Sequence, residues 1–202
     1  MENLKTGTTT IGIVCKEGVI LAADRRATAG HMIVYKTTTK IIPIAENIAI
    51  TTAGSVSDIQ LLSKLVAAEL RLIEVRTGRK PGVKETANLL AGMVYSNLRQ
   101  YFPGISHFIL GGYDPTGCYV YDIGADGSLM QATDYTSSGS GSVFALGVLE
   151  SHYTKAPSLK EGAEMAEKSL RVAIQRDSAS GNGIDVLEIT QSGMKQVIDK
   201  EI

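Results

Sequence analysis

Gly7-Thr8-Thr9-Thr10-Ile11-Gly12-Ile13-Val14-Cys15 is the stretch on which the reading of this chain turns. Its β-branched residues are stiff at χ1 and suit a pleated surface, so residues 8–15 read as a strand. The Gly7–Thr8 junction allows a second reading. A threonine that becomes the first residue of a chain carries its own general base, because its freed α-amine lies next to its hydroxyl. That amine titrates near ~8 in model peptides, within reach of neutral pH. Cutting the junction would make Met1 to Gly7 a leader and Thr8 a nucleophile. Taken alone the stretch favours the plain strand, since short threonine runs are common in strands; the residues around it have to overturn that.

Outward from the junction, Lys16-Glu17-Gly18 supplies a turn, and residues 18–23 form the second strand of a hairpin. Residues 40–44 and 47–52 make another such pair. At Gly54-Ser55 the apolar period changes. Ser55, followed by Asp58, has the form of a capping box and opens a long helix ending before the break at residues 77–81. Ile59, Leu62, Val66, Leu70 and Ile73 form one apolar stripe of that helix, and Leu61, Leu65, Ala68 and Leu72 form another. A helix apolar on two faces is buried on two sides, and in a domain this small the second side predicts contact with another subunit. Residues 83–101 make a second helix, stopped by Phe102-Pro103-Gly104. Strands follow at 106–111, 118–123 and 128–133, then helices at 142–153 and from the Ser158/Glu161 capping box to about Arg176. Strands at 184–190 and 194–198 close the chain. Strands, two helices, strands, two helices, strands leaves few long crossovers. The order predicts an α+β domain of two antiparallel sheets with helix pairs outside, not a doubly wound parallel sheet.

Composition narrows the function. The chain has 202 residues and a net charge of −1, enough for one domain and too little positive charge for a nucleic-acid partner. No apolar run is long enough to span a membrane, and residues 1–7 lack the apolar core of a secretory signal, so a cytoplasmic protein is expected. Two cysteines, Cys15 and Cys118, read as reduced packing residues, although a disulfide between them stays open. The three histidines are scattered, with no metal-ligand spacing and no Ser-His-Asp order, so no metal and no cofactor is expected.

A terminal threonine needs a cation to ease proton loss, a carboxylate to hold that cation, and amide donors for an oxyanion. Asp24 ends the second strand and Lys40 begins the third. If the strands starting at Thr8 and Lys40 are neighbours, the ammonium sits beside the hydroxyl and Asp24 pairs with it. Taken singly, Lys40 also reads as a solvated edge lysine and Asp24 as a turn residue. Residues 137–142, Ser-Ser-Gly-Ser-Gly-Ser, read as a flexible loop or a phosphate cradle, and residues 177–181 as a helix-terminal turn.

Taken in order, Thr8-Thr9-Thr10-Ile11-Gly12, Ala22-Ala23-Asp24-Arg25-Arg26, Lys40, Thr52-Ala53-Gly54, Gly139-Ser140-Gly141 and Arg176 through Gly181 resemble the β subunits of the 20S proteasome, of archaeal type. Residues 144–150 and 184–186 are also family-like, and the likeness covers essentially the whole chain. The resemblance implies an N-terminal-nucleophile hydrolase fold, a four-layer αββα sandwich. It implies that residues 1–7 are a leader removed by autolysis, cut between Gly7 and Thr8, and that 8–202 is a single catalytic domain. In the family's pattern Thr8 is nucleophile and base, and Asp24 and Lys40 are the charge pair. Ser140, Asp177 and Ser180 surround the amine, and Gly54 gives the oxyanion amide. Thr28 and Gly54 would hold substrate through their backbones, while Ala27, Thr38, Ile42, Thr52 and Val56 would line the specificity pocket. Thr52 is more polar than the apolar residue expected there, which leaves the preferred side chain open. The implied partners are other β subunits in a homo-oligomeric ring, α subunits, a regulatory unfoldase ATPase and unfolded polypeptide. The implied activity is that of a threonine endopeptidase.

Two other readings compete. One is a non-catalytic ring subunit, against which stand Gly7-Thr8, Asp24 and Lys40 together. The other is a different N-terminal-nucleophile amidohydrolase, against which stand the long first helix and residues 176–181. A nucleotide-binding module built on the Ser/Gly loop lacks the following Lys-Ser/Thr.

Overall fold

The computed structural model describes residues 7–100 and 104–202. The rest of the expected leader, residues 1–6, and most of the Phe102-Pro103-Gly104 stop lie outside them. The chain runs β1 (Thr10–Val14), β2 (Gly18–Asp24), β3 (Ala27–Ala29), β4 (Met32–Tyr35), β5 (Ile41–Ala45), β6 (Ile48–Gly54), α1 (Val56–Thr77) and α2 (Val83–Leu98). It continues through β7 (Ser106–Asp114), β8 (Gly117–Ile123), β9 (Leu129–Ala132), β10 (Tyr135–Ser138), α3 (Ser142–His152), α4 (Leu159–Arg176), β11 (Ile184–Thr190) and β12 (Gly193–Lys200).

The strands form one sheet in the order β10-β1-β2-β11-β12, a second in the order β5-β6-β7-β8-β9, and a small β3-β4 pair, all antiparallel. Period-two alternation explains how they stack. Ile11, Ile13, Ile20 and Ala22 point to α3 and α4, where Leu149, Ala166 and Leu170 meet them. Val19, Leu21 and Ala23, between them along β2, point the other way and pack on Ile109 and Val120 of the second sheet. The far face of that sheet buries Ile48, Ile50, Phe108 and Leu110 against Leu62, Val66, Leu70, Leu90 and Val94 of α1 and α2. The result is the four-layer αββα sandwich expected from the order of elements. The Ile59-to-Ile73 stripe of α1 supplies the core contact, while Leu61, Leu65 and Leu72 of the second stripe are exposed on the single chain.

Several local readings change. The Ser158 capping box forms, with Glu161 N–H donating to Ser158 Oγ at 3.3 Å and Ser158 N–H to Glu161 Oε2 at 2.8 Å. At Ser55 no side-chain cap bond forms. The Ser55 N–H already donates to the Ile105 carbonyl at 2.9 Å, so no carboxylate is needed there. Residues 137–138 are not loop but the end of β10. Thr10 and Ser138 share a hydroxyl hydrogen bond of 2.7 Å, and Ser137 Oγ donates to the Thr10 carbonyl at 2.8 Å. Strand partners outweigh the low strand propensity of serine at this position. Strands β3 and β4, absent from the sequence reading, form a short pair whose four Met32–Tyr35 side chains are exposed.

Candidate active site

The expected adjacency of the Thr8 and Lys40 strands is not what the fold builds. β1 pairs with β2 and β10, whereas Lys40 precedes β5 at the edge of the other sheet. The two approach across the space between sheets, not along a hydrogen-bonded ladder. Asp24, at the end of β2, closes the gap. Its Oδ1 accepts from Lys40 Nζ at 2.7 Å and from the Thr9 N–H at 2.9 Å. Its Oδ2 accepts from the Arg26 N–H at 3.0 Å and the Gly181 N–H at 2.9 Å. One carboxylate therefore fixes the backbone beside Thr8, the lysine and the 177–181 turn together. Both partners are buried, with side chains 0% and 5% exposed. Burial pushes the Lys40 ammonium below its ordinary range, and the Asp24 carboxylate opposes that shift.

Thr8 is itself buried. Its hydroxyl donates to the Gly7 carbonyl oxygen at 2.6 Å, the carbonyl of the bond expected to be cut if residues 1–7 are a leader. The Thr8 N–H donates to Ser140 Oγ at 3.2 Å, and Ser140 Oγ donates to Asp177 Oδ2 at 2.6 Å. Ser180 Oγ also donates to Asp177 Oδ2 at 2.6 Å and shares a 2.7 Å hydrogen bond with Thr9 Oγ1. Ser140, Asp177 and Ser180, distant in sequence, thus converge on the nitrogen of residue 8 and the side chain of residue 9. The chain reverses at Gly139 (φ +92°), where a Cβ would stand 2.0 Å from the Thr8 carbonyl oxygen. Only glycine lets this turn lie against the Thr8 backbone.

Gly54 (φ +124°) ends β6, and a Cβ there would meet the Ile105 carbonyl oxygen at 2.3 Å. Its N–H is not among the donors to the Gly7 oxygen, which takes the Thr8 hydroxyl instead. Among the expected substrate-binding residues, Ala27 and Thr28 lie on β3, Ile42 on β5 and Thr52 on β6, while Val56 opens α1 and is 55% exposed. Thr52 is buried, and its N–H donates to the Lys40 carbonyl at 3.0 Å. The Thr38 N–H donates to the Arg25 carbonyl at 3.0 Å.

Two side chains that build the site, those of Arg26 and Thr28, were given no role by sequence reasoning, which expected Thr28 to act through its backbone alone. Arg26 donates to the Asn182 side chain at 2.8 Å and the Ser178 carbonyl at 2.7 Å, bracing the 177–181 turn from the β2 side. Its place two residues after Asp24, within the Ala22–Arg26 motif, was the only signal. The Thr28 hydroxyl accepts from the Gly7 N–H at 2.9 Å, a contact across 21 residues with no local signature. Among the described residues no cluster of three metal-ligating side chains occurs, and no helix is long and apolar enough to cross a membrane.

Comparison with known proteins bears on the whole chain. The family model described as proteasome subunit matches residues 4–189. The proteasome subunit beta of Archaeoglobus profundus is 42% identical over 201 residues, covering 100% of this chain and 93% of that protein. The proteasome subunit beta of Archaeoglobus fulgidus is 41% identical over 201 residues with the same coverage. That of Methanocaldococcus vulcanius is 41% identical over 203 residues, covering 100% of this chain and 90% of the relative. An αββα sandwich, a buried Gly7–Thr8 junction and full-length likeness agree: the chain belongs to the proteasome subunit family, among its β subunits of archaeal type.

Proposed function

We propose that this chain is a self-processing threonine endopeptidase, with residues 1–7 as leader and 8–202 as the catalytic domain. The observation that carries the reading is the Thr8 hydroxyl held 2.6 Å from the Gly7 carbonyl oxygen, with the Thr8 nitrogen hydrogen-bonded to Ser140. In maturation the Thr8 oxygen attacks the Gly7 carbonyl carbon. A C–O bond forms and the C–N bond breaks. The hydroxyl proton passes to the departing Thr8 nitrogen, through water or Lys40, whose burial favours the unprotonated amine that can relay it. Water then hydrolyses the ester, leaving the leader as a carboxylate and Thr8 with a free amine and hydroxyl.

Turnover repeats the attack on a substrate carbonyl. The amine, held by Ser140 with Asp177 and Ser180 behind it, takes the hydroxyl proton and later gives it to the leaving amine. The Lys40 ammonium, kept in place by Asp24, favours the threonine alkoxide, and the Gly54 N–H stabilises the oxyanion. Thr28 and Gly54 hold an extended substrate through backbone bonds, a mode indifferent to most side chains, with Ala27, Thr38, Ile42, Thr52 and Val56 setting preference. The substrate class is unfolded polypeptide.

The exposed Leu61, Leu65 and Leu72 of α1 and Val143, Phe144 and Leu146 of α3 support packing into closed rings with copies of this chain and with α subunits. A cytoplasmic particle of that kind would receive substrate from an unfoldase ATPase.

The test is Thr8→Ala in the assembled particle, read by intact mass and by hydrolysis of an unfolded protein. Both leader loss and hydrolysis are expected to vanish. Hydrolysis by the Thr8→Ala particle would instead favour a non-catalytic role for this subunit. Because the base is the freed amine, wild-type turnover is expected to rise with pH through about 7–8, as that amine loses its proton.

A further inference from the structure

Gly7 is fixed from three directions. Its N–H donates to the buried Thr28 hydroxyl at 2.9 Å. Its carbonyl oxygen accepts from the Thr8 hydroxyl at 2.6 Å. Its Cα faces the turn that follows α4: a Cβ built on Gly7 would lie 1.7 Å from Ala179 Cβ, 2.9 Å from Ala179 Cα and 3.1 Å from the Ala179 carbonyl oxygen. A 1.7 Å separation of two unbonded carbons cannot exist, so any residue but glycine must move the chain at position 7. The contact that forbids a side chain is chiefly one methyl group, on a turn braced by Asp177, whose Oδ1 accepts from the Ala179 N–H at 3.2 Å.

We propose that the Thr28 hydroxyl and the Ala179 methyl form a reading site for the residue that precedes the scissile bond, and that this pair determines the specificity of leader removal. The hydroxyl holds the N–H of residue 7 and the methyl excludes a side chain there. Together they keep the Gly7 carbonyl against the Thr8 hydroxyl. Both act as positioning residues in the step where the Thr8 oxygen bonds to the Gly7 carbonyl carbon as the C–N bond breaks and the proton moves to the Thr8 nitrogen. The proposal rests on the self-cleavage reading above and adds the determinant of its glycine requirement. A buried N–H left without an acceptor, or a carbonyl displaced by about an ångström, slows such a step substantially.

The experiment follows leader loss by intact mass over time in the full chain, with assembly monitored by native mass. Gly7→Ala is expected to slow leader loss about a hundredfold. Adding Ala179→Gly to Gly7→Ala is expected to recover about tenfold, not all, because the Ala179 backbone stays close. Thr28→Val is expected to slow leader loss about tenfold, and Thr28→Ser, which keeps the acceptor, to restore it. A general loss of structure would not be relieved by Ala179→Gly, nor separate valine from serine at position 28. Wild-type processing of Gly7→Ala, or a stalled Gly7→Ala that Ala179→Gly does not relieve, overturns the proposal. Thr8→Ala reports on the underlying reading alone: leader loss there refutes self-cleavage, whereas normal Gly7→Ala processing beside a stalled Thr8→Ala refutes only the reading site.

Discussion

Asp24 and Arg25 are neighbours in sequence, yet each anchors a different ion-pair cluster. Asp24 turns into the space between the sheets, where Lys40 and three backbone N–H groups surround it. Arg25 turns away and bridges Asp185 of β11 and Asp199 of β12 beside a cavity of about 450 Å³ lined by Thr37, Thr39 and Gln196. The Asp24–Lys40 side chains are 0% and 5% exposed, whereas Asp199 is 69% exposed and water shares its charge. The cations differ as well. The two carboxylates hold the Arg25 guanidinium firmly charged, while burial pushes the Lys40 ammonium toward neutrality. The difference shows that charge pairing alone does not mark a reactive site. What sets the Asp24 cluster apart is a desolvated cation, held by a carboxylate that also fixes the backbone beside Thr8.

Substitutions can break that contrast. Lys40→Ala is expected to abolish turnover and, by leaving Asp24 buried and unpaired, to cost about 3–5 kcal/mol of stability. Peptide hydrolysis and chemical denaturation check the two effects separately. Lys40→Arg is not expected to rescue turnover, because a planar, permanently charged guanidinium does not reproduce a compact ammonium. Near-normal hydrolysis by either variant would remove Lys40 from the mechanism. Arg25→Ala is expected to lower stability by up to about 3 kcal/mol, less than a fully buried pair because Asp199 is solvated. Turnover per folded particle should persist. A folded Arg25→Ala particle without activity would mean the two clusters are coupled.

The smallest effects concern pH. Lys40 holds fewer protons in the folded chain than in the unfolded one between its lowered value and the ordinary 10.5, so its contribution to stability rises with pH across that window. Cys15 runs the other way. Burial pushes its thiol from 9.0 up to about 12, so the unfolded chain loses the proton first, and its contribution falls as pH rises through that interval. Alkylation of Cys15 in the native chain should therefore stay slow at pH 8–9. Rapid labelling without unfolding would contradict its burial. Lys40→Met and Cys15→Ala should flatten the respective windows in denaturation curves.

Legibility followed the range of the interactions involved. The β1–β2 hairpin, both long helices of the first pair and the Ser158 cap depend on neighbours within a few turns, and the sequence pattern displays them. β3 and β4 escaped because three and four residues make too short a period to recognise, and Met32–Tyr35 buries nothing within the single chain. β10 escaped because Ser137 and Ser138 become strand only through β1. Thr8, Asp24, Lys40, Ser140, Asp177 and Ser180 were named from a pattern of motifs. The pattern did not reveal that Lys40 reaches Asp24 across two sheets, that Arg26 braces the turn, or that the Thr28 side chain, expected to act through its backbone, holds Gly7.

The sequence by itself determined the layer order and core faces, since alternation and helical stripes are local consequences of side-chain direction. It also determined which residue types were available at the junction. Only the tertiary structure decided that Gly7 is enclosed between Thr28, Thr8 and Ala179, residues up to 172 positions away from it. Such an enclosure depends on where three elements meet in space, and no period or spacing along the chain encodes that distance. The same holds for Asp24, whose two oxygens collect donors from Thr9 just before β1, Arg26 just after β2, Lys40 just before β5 and Gly181 in the turn after α4. Desolvation of that cluster, which pushes the Lys40 ammonium below its ordinary range, exists only once both sheets have closed over it.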